Sequence, residues 1–316
     1  MLQISFRKIL LITICILPIL QSCGEADSQP ELPVEEGTLS INGTEIYYNI
    51  VGEGEPIIVI HGGPVLDHGY LESSFEPLAQ YYQLLYYDQR LSGRSSADVD
   101  RTGIKLDDFV EDIEALRQEF NFENIHLLAH SWGGLLAMKY AIKYPSNLKS
   151  LILLNSMPAN TEDWRQESQM VARRTTAEDT LKRHEIMSSE LFQNDPPKAI
   201  EQLLILSFRN QFKNPSLADS LDFYIPEDYM VRSQRFGSLM AELSNYDLYE
   251  PLSSLQIPTL LVYGSSEPSL EISGQKLDST ISDSHFSVIQ NSGHFPFIEQ
   301  PDQLMNELQT FLGSLK

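Results

Sequence analysis

The chain has 316 residues, with 44 Asp and Glu against 22 Lys and Arg and a formal charge of −22. That length allows one large core carrying an insertion, or two ordinary domains. The charge excludes a phosphate-binding surface, because nucleic-acid binding needs clustered Lys and Arg to displace counterions, so the acidity reads as a solvated face.

In chain order, Arg7 and Lys8 form a short basic region, residues 9–20 an apolar run too short to span a membrane comfortably, and Leu20-Gln21-Ser22-Cys23 follows. The pattern resembles the lipobox of bacterial lipoproteins, in which a signal peptide is cut before a cysteine that becomes lipid-modified. Residues 1–22 are therefore expected to be a signal peptide and Cys23 the lipidation site. The implied location is outside the cytoplasm, on a membrane through the N-terminal lipid, at the periplasmic face or the cell surface. The chain has two cysteines, Cys15 and Cys23, so the folded part can hold no disulfide and depends on its core.

Residues 23–37, rich in Glu, Pro, Ser and Asp, read as a flexible tether. Asn42-Gly43 between two strand-like runs in residues 39–51 signals a hairpin. Short continuous apolar runs at 57–60, 84–87, 125–129, 151–154, 259–263 and 286–289 predict strands buried on both faces of a largely parallel sheet. Between them, Leu106, Phe109, Val110, Ile113, Leu116 and Phe120 recur at helical spacing, as do Leu304, Leu308 and Phe311. Strand and helix alternate, which implies a doubly wound α/β architecture. The alternation breaks at residues 159–244, where helical patterns (164–187, 198–208) are punctuated by Asn194-Asp195-Pro196-Pro197 and Asn214-Pro215. This interval predicts a helical cap inserted after about the sixth strand, leaving residues 38–158 and 245–316 as the core.

Ala129-His130-Ser131-Trp132-Gly133-Gly134 lies between a predicted strand and a predicted helix. A small-x-Ser-x-Gly at such a junction is a nucleophile elbow, which lifts the serine hydroxyl clear of the sheet at a helix N-terminus. A serine needs a base, and the base an orienting carboxylate. His294, in Asn291-Ser292-Gly293-His294-Phe295-Pro296, sits on the loop between the last strand and last helix. Glu267, in Gly264-Ser265-Ser266-Glu267-Pro268, follows the preceding strand, and the order Ser131, Glu267, His294 is the Ser…Asp/Glu…His order of α/β hydrolases. Asp278 and Asp283 are the fallback acids. His61-Gly62-Gly63-Pro64 follows the strand at 57–60, and the N–H of Gly63 with that of Trp132 forms the expected oxyanion hole. Gly62 is expected to let the backbone approach a substrate; His61 and His130 read as structural.

Together, His61-Gly62-Gly63-Pro64, Asp88-Gln89-Arg90 with Gly93-Arg94-Ser95, and His130-Ser131-Trp132-Gly133-Gly134 resemble the proline iminopeptidase family of α/β hydrolases. The resemblance implies an α/β-hydrolase fold, an acyl-enzyme mechanism, cleavage of N-terminal residues, often proline, from short peptides, and no metal or organic cofactor. In that family glutamates bind the substrate's free amine, one in the cap and one beside the catalytic acid. Here Glu242 is the candidate in the cap, and Pro268 stands where the second carboxylate belongs; Val65 and Leu91 replace usual glycines. Small acyl esters or lactones remain alternative substrates, and a catalytically silent surface-binding lipoprotein is the alternative of another class. Oligomeric state stays open.

Overall fold

The computed structural model describes residues 32–97 and 103–315. The expected signal peptide, the expected lipidation site Cys23 and residues 24–31 of the expected tether lie outside these residues. Eight strands, β1 (Val34–Ile41), β2 (Thr44–Val51), β3 (Glu55–Ile60), β4 (Tyr82–Tyr87), β5 (Ile125–His130), β6 (Leu148–Leu154), β7 (Thr259–Gly264) and β8 (Ser284–Ile289), form one sheet in the order β1-β2-β4-β3-β5-β6-β7-β8. β1 and β2 run antiparallel to their neighbours, and β4, β3, β5, β6, β7 and β8 are parallel.

The hairpin forms because Asn42 (φ 48°) and Gly43 (φ 76°) supply the two positive φ angles of a tight turn whose twist matches the strands. β1 starts at Val34, inside the stretch assigned above to the tether, so residues 34–37 are strand rather than tether. Tyr48 donates to Glu35 at 3.0 Å and Tyr47 to Glu36 at 2.6 Å. These cross-strand bonds tie down an edge strand with little apolar burial.

β5 and β7 are buried along their whole length because helices cover both faces of the sheet. One face holds α2 (Leu106–Glu119) and α3 (Trp132–Lys143), packed through Phe109, Ile113, Leu135 and Leu136. On the other, α1 (Gly69–Phe75) and the C-terminal helix (Pro301–Ser314) contribute Leu71, Phe75, Leu304, Leu308 and Phe311. Among the described residues, no helix is long and apolar enough to cross a membrane.

After β6, the sixth strand, the chain leaves the sheet for a helical cap: α4 (Thr161–Ala172), α5 (Ala177–Met187), α6 (Glu190–Asn194), α7 (Pro196–Arg209), α8 (Tyr229–Phe236) and α9 (Met240–Leu243). The single helical pattern read at 164–187 is two helices. They part where Thr176 starts a new one with a capping box, accepting from the Asp179 N–H while Asp179 accepts from its own. The neck is pinned where Leu248 N donates to Ala159 O and Thr161 N to Tyr246 O. Buried Arg232 of α8 ties cap to core, donating to the carbonyls of Gly93 (3.2 Å) and Ser95 (2.7 Å) in the loop after β4. That loop is fixed in turn by a buried bidentate pair, Arg90 to Asp112 of α2, with both bonds 2.7 Å.

Candidate active site

Ser131 sits between β5 and α3 with φ 54° and ψ −120°, a conformation that non-glycine residues rarely adopt and that a packed surrounding must enforce. The enforcement is visible. A Cβ on Gly133 would stand 2.5 Å from the Ile60 carbonyl oxygen and 2.7 Å from that of His61, and one on Gly134 would collide with Ser156. The helix can therefore approach β3 and β6 closely only with glycines in its first turn. Ala129, two before the serine, is fully buried, and its methyl is accommodated.

His294 lies on the loop after β8, and its Nδ1 is 2.9 Å from Glu267 Oε2. The same oxygen accepts from Asn155 Nδ2 at 3.0 Å, which also reaches Gly293 O at 3.0 Å. Asn155 was not singled out from sequence; it follows β6 directly, and no spacing marks it. Burial alone would favour the uncharged form of both partners. Their mutual attraction outweighs it, holding Glu267 below and His294 above their ordinary values. With Nδ1 committed to Glu267, Nε2 is the nitrogen left to exchange protons. The loop is held from the cap side as well, His294 N donating to Gln211 O at 2.9 Å. Asp278 and Asp283 precede β8, at the opposite end of that strand from His294, so neither is positioned to orient it.

Gly63 and Trp132 line the same cavity as Ser131 and His294. The backbone of Gly62 is held at both ends: Gly62 N donates to Tyr70 Oη at 2.7 Å, and Gly62 O lies 2.6 Å from His61 Nδ1. The Gly62 N–H is therefore already engaged, and it is Gly63, not Gly62, that lines the cavity. The missing side chain of Gly62 serves packing, since a Cβ there would lie 2.8 Å from Tyr70 Oη and 3.1 Å from Ser131 Cβ. Trp132 Nε1 donates to Gln89 Oε1 at 2.9 Å, and Gln89 Nε2 donates to His61 O at 2.7 Å. The middle residue of Asp88-Gln89-Arg90 thus fastens both halves of the expected oxyanion hole.

The cavity has a volume of about 620 Å³ between core and cap, within the range that holds a small-molecule ligand. Trp164 and Val171 of α4, Phe208 of α7, and Phe236 and Met240 at α8 and α9 make it mostly apolar. Glu242 is not in it. Its side chain is exposed and accepts from Leu106 N, 3.4 Å away at the start of α2, where a carboxylate complements the helix N-terminus. The cap carboxyl that does face the cavity is Glu167 of α4, three residues after Trp164 and four before Val171, on the same helical stripe. Its Oε2 is shielded from solvent and has no hydrogen-bond partner. Burial, with the nearby charge of Glu267, raises its pKa to about 8. Among the described residues, no group of three or more His, Cys, Asp or Glu converges to hold a metal ion.

The sequence profile of the alpha/beta hydrolase fold matches residues 55–301. A proline iminopeptidase from Lactobacillus helveticus (strain DPC 4571) is 29% identical over 301 residues, covering 89% of this chain and 98% of its own. One from Saccharolobus solfataricus is 26% identical over 314 residues, covering 89% and 93%. Among solved structures, a proline iminopeptidase from Mycobacterium smegmatis superposes with a TM-score of 0.65 at 21% identity, covering 89% of this chain and 98% of its own. A thermophilic esterase from Thermogutta terrifontis does so with 0.64, also at 21% identity, covering 89% and 99%. At those identities the two structures bear on the fold alone.

Proposed function

Because the chain belongs to the alpha/beta hydrolase fold family, we propose that it is a serine hydrolase cleaving small amides, with N-terminal residues of short peptides as its substrates. The observation that carries this reading is Glu167 on the wall of the cavity that also contains Ser131 and His294: its carboxyl has a hydrogen bond with Ser269, but its Oε2 is shielded from solvent and has no partner. An ester or acyl site needs no such group. A substrate ammonium does, because a buried unpaired charge costs several kcal/mol.

In the reaction, His294 Nε2 takes the proton of Ser131 as its oxygen attacks the carbonyl carbon. The oxyanion is met by the N–H groups of Gly63 and Trp132 at the positive end of α3. The imidazolium, stabilised by Glu267, returns the proton to the leaving amine. Water then hydrolyses the acyl-enzyme by the same steps. Glu167 takes the role first assigned to Glu242.

The pH dependence should carry two signatures. For a neutral ester, kcat/KM should rise as His294 loses its proton, at a pH above the ordinary 6.5. For a free-amine amide, kcat/KM should instead peak near pH 8. Below about 8, Glu167 of the free enzyme holds a proton that must leave before it can pair with an ammonium. Above that, the substrate's own α-amino group, ordinarily near 7.7–8.0, loses its charge. Identical profiles for the two substrates would remove Glu167 from amine binding.

The test of the reading as a whole compares prolyl and alanyl 2-naphthylamide with their N-acetylated forms and with a short acyl ester. Turnover of the free amides and loss on acetylation are expected. Turnover of the ester alone would make the protein an esterase.

The proposed location is outside the cytoplasm, on a membrane through lipid on Cys23. Replacing Cys23 by Ala should abolish palmitate labelling and release the protein from the membrane fraction. Equal labelling of both proteins would contradict this.

A further inference from the structure

Three buried histidines, His61, His130 and His294, surround Ser131 and the loop after β3, and of these three His294 alone is paired with a carboxylate. His130, immediately before Ser131, is fully buried and lies ring to ring with His294 at 4.9 Å. Its Nδ1 is 2.8 Å from Tyr70 Oη, and its Nε2 is 3.0 Å from the backbone oxygen of His294. The directions of these bonds are forced. Gly62 N–H can only donate to Tyr70 Oη, so the tyrosine proton points to His130 Nδ1, and His130 must carry its proton on Nε2 to donate to His294 O. His61 is the mirror case. Its Nε2 accepts from Gln89 N at 3.0 Å, leaving the proton on Nδ1 for Gly62 O. Burial pushes His61 down to about 4 and His130 well below the ordinary value, the latter helped by nearby His294. Both rings stay neutral, each locked in the tautomer that its partners require.

We propose that Tyr70 and His130 are positioning residues: the chain Gly62 N–H to Tyr70, Tyr70 to His130, and His130 to the His294 carbonyl fixes the oxyanion loop relative to the general base. This rests on the hydrolase reading above and adds to it a residue, Tyr70, that no motif marks. The two halves of the site come from distant parts of the sequence and lie on loops after β3 and β8. Loops are the least rigid parts of a fold, and a donor misplaced by about 1 Å can cost on the order of 10²-fold in rate. The relay crosses from one loop to the other through the nucleophile's own neighbour, so oxyanion donor, serine and base move as one piece. Tyr70 is itself clamped by ring contacts with Phe223 of the cap and with Phe297, which gives the relay a fixed starting point.

Tyr70→Phe keeps the ring and deletes only the hydroxyl. The expected result is a fall of about tenfold to thirtyfold in kcat with KM changed by less than about twofold. Affinity for phenylboronic acid, whose tetrahedral adduct with Ser131 uses the oxyanion donors, should fall by the same factor, and affinity for the released amino acid product should not change. His130→Leu, which removes both the acceptor for Tyr70 and the donor to His294 O, should give the same pattern and serves if Tyr70→Phe yields too little folded protein. Unchanged kcat and boronate affinity would overturn the proposal. So would equal losses of boronate and product affinity accompanied by a lower Tm, which would mark a purely structural tyrosine. Wild-type protein that binds no boronate and turns over no substrate would instead sink the hydrolase reading, and this inference with it.

Discussion

Glu267→Gln is expected to lower kcat by on the order of 10³ to 10⁴, about 4 to 5.5 kcal/mol of transition-state stabilisation, with the fold retained. One carboxylate oxygen, Oε2, serves both His294 Nδ1 and Asn155 Nδ2. An amide can meet these two donors in only two ways. With its nitrogen toward His294 it donates to Nδ1, putting the imidazole proton on Nε2 and blocking the base. With its oxygen there the tautomer survives, but the charge that stabilises the imidazolium is gone, and His294 loses the attraction that now raises its pKa. The check is kcat for Glu267→Gln beside Asp278→Asn and Asp283→Asn, which should retain activity. Near-normal turnover of Glu267→Gln with a dead aspartate variant would reassign the acid.

Glu167→Gln should lower kcat/KM for free-amine substrates by on the order of 10², since removing one partner of a desolvated charge pair costs roughly 2 to 5 kcal/mol. An N-acetylated amide or a short ester should be turned over as before. The discrimination is clean because the protein alone tolerates the change. At neutral pH a carboxyl with a pKa of about 8 is already protonated, so the amide replaces one neutral group with another of nearly the same shape. The acid limb of the free-amine profile should then fall back to the one the ester shows, set by His294. Glu242→Gln is the control: its side chain lies over the start of α2, and its removal should leave kcat/KM unaltered. A loss of amine preference in Glu242→Gln, with none in Glu167→Gln, would restore the first assignment.

The parts of this arrangement that were legible in the sequence are those where local chemistry dictates structure. Asn42-Gly43 can hardly be other than a hairpin turn, the uninterrupted apolar runs mark strands covered on both faces, and glycine after the nucleophile reflects a helix packed against the Ile60 and His61 carbonyls. The first half of β1 was missed because it is held by tyrosine–glutamate bonds across an edge rather than by burial, so Val34, Glu35, Glu36 and Gly37 read as tether. Glu167 was missed for a different reason. Glu167 and Glu242 both lie on short amphipathic cap helices, and which of them meets the cavity depends on how the cap seats on the core through Arg232 and the loop after β4. The stripe Trp164, Glu167, Ser168, Val171 was a usable signal, a carboxyl flanked at helical spacing by large apolar groups. Tyr70 and Asn155 left none, since their roles exist only once β3, β5, β6 and β8 are side by side.

The central claim is that Ser131 is activated by His294 and Glu267, and covalent labelling with a fluorophosphonate followed by peptide mass spectrometry tests it most directly. The phosphonyl group should be found on Ser131, with labelling abolished in Ser131→Ala and slowed by orders of magnitude in Glu267→Gln. A protein that resists the probe, or that carries it on another serine while Ser131→Ala labels as the wild type does, would contradict the account.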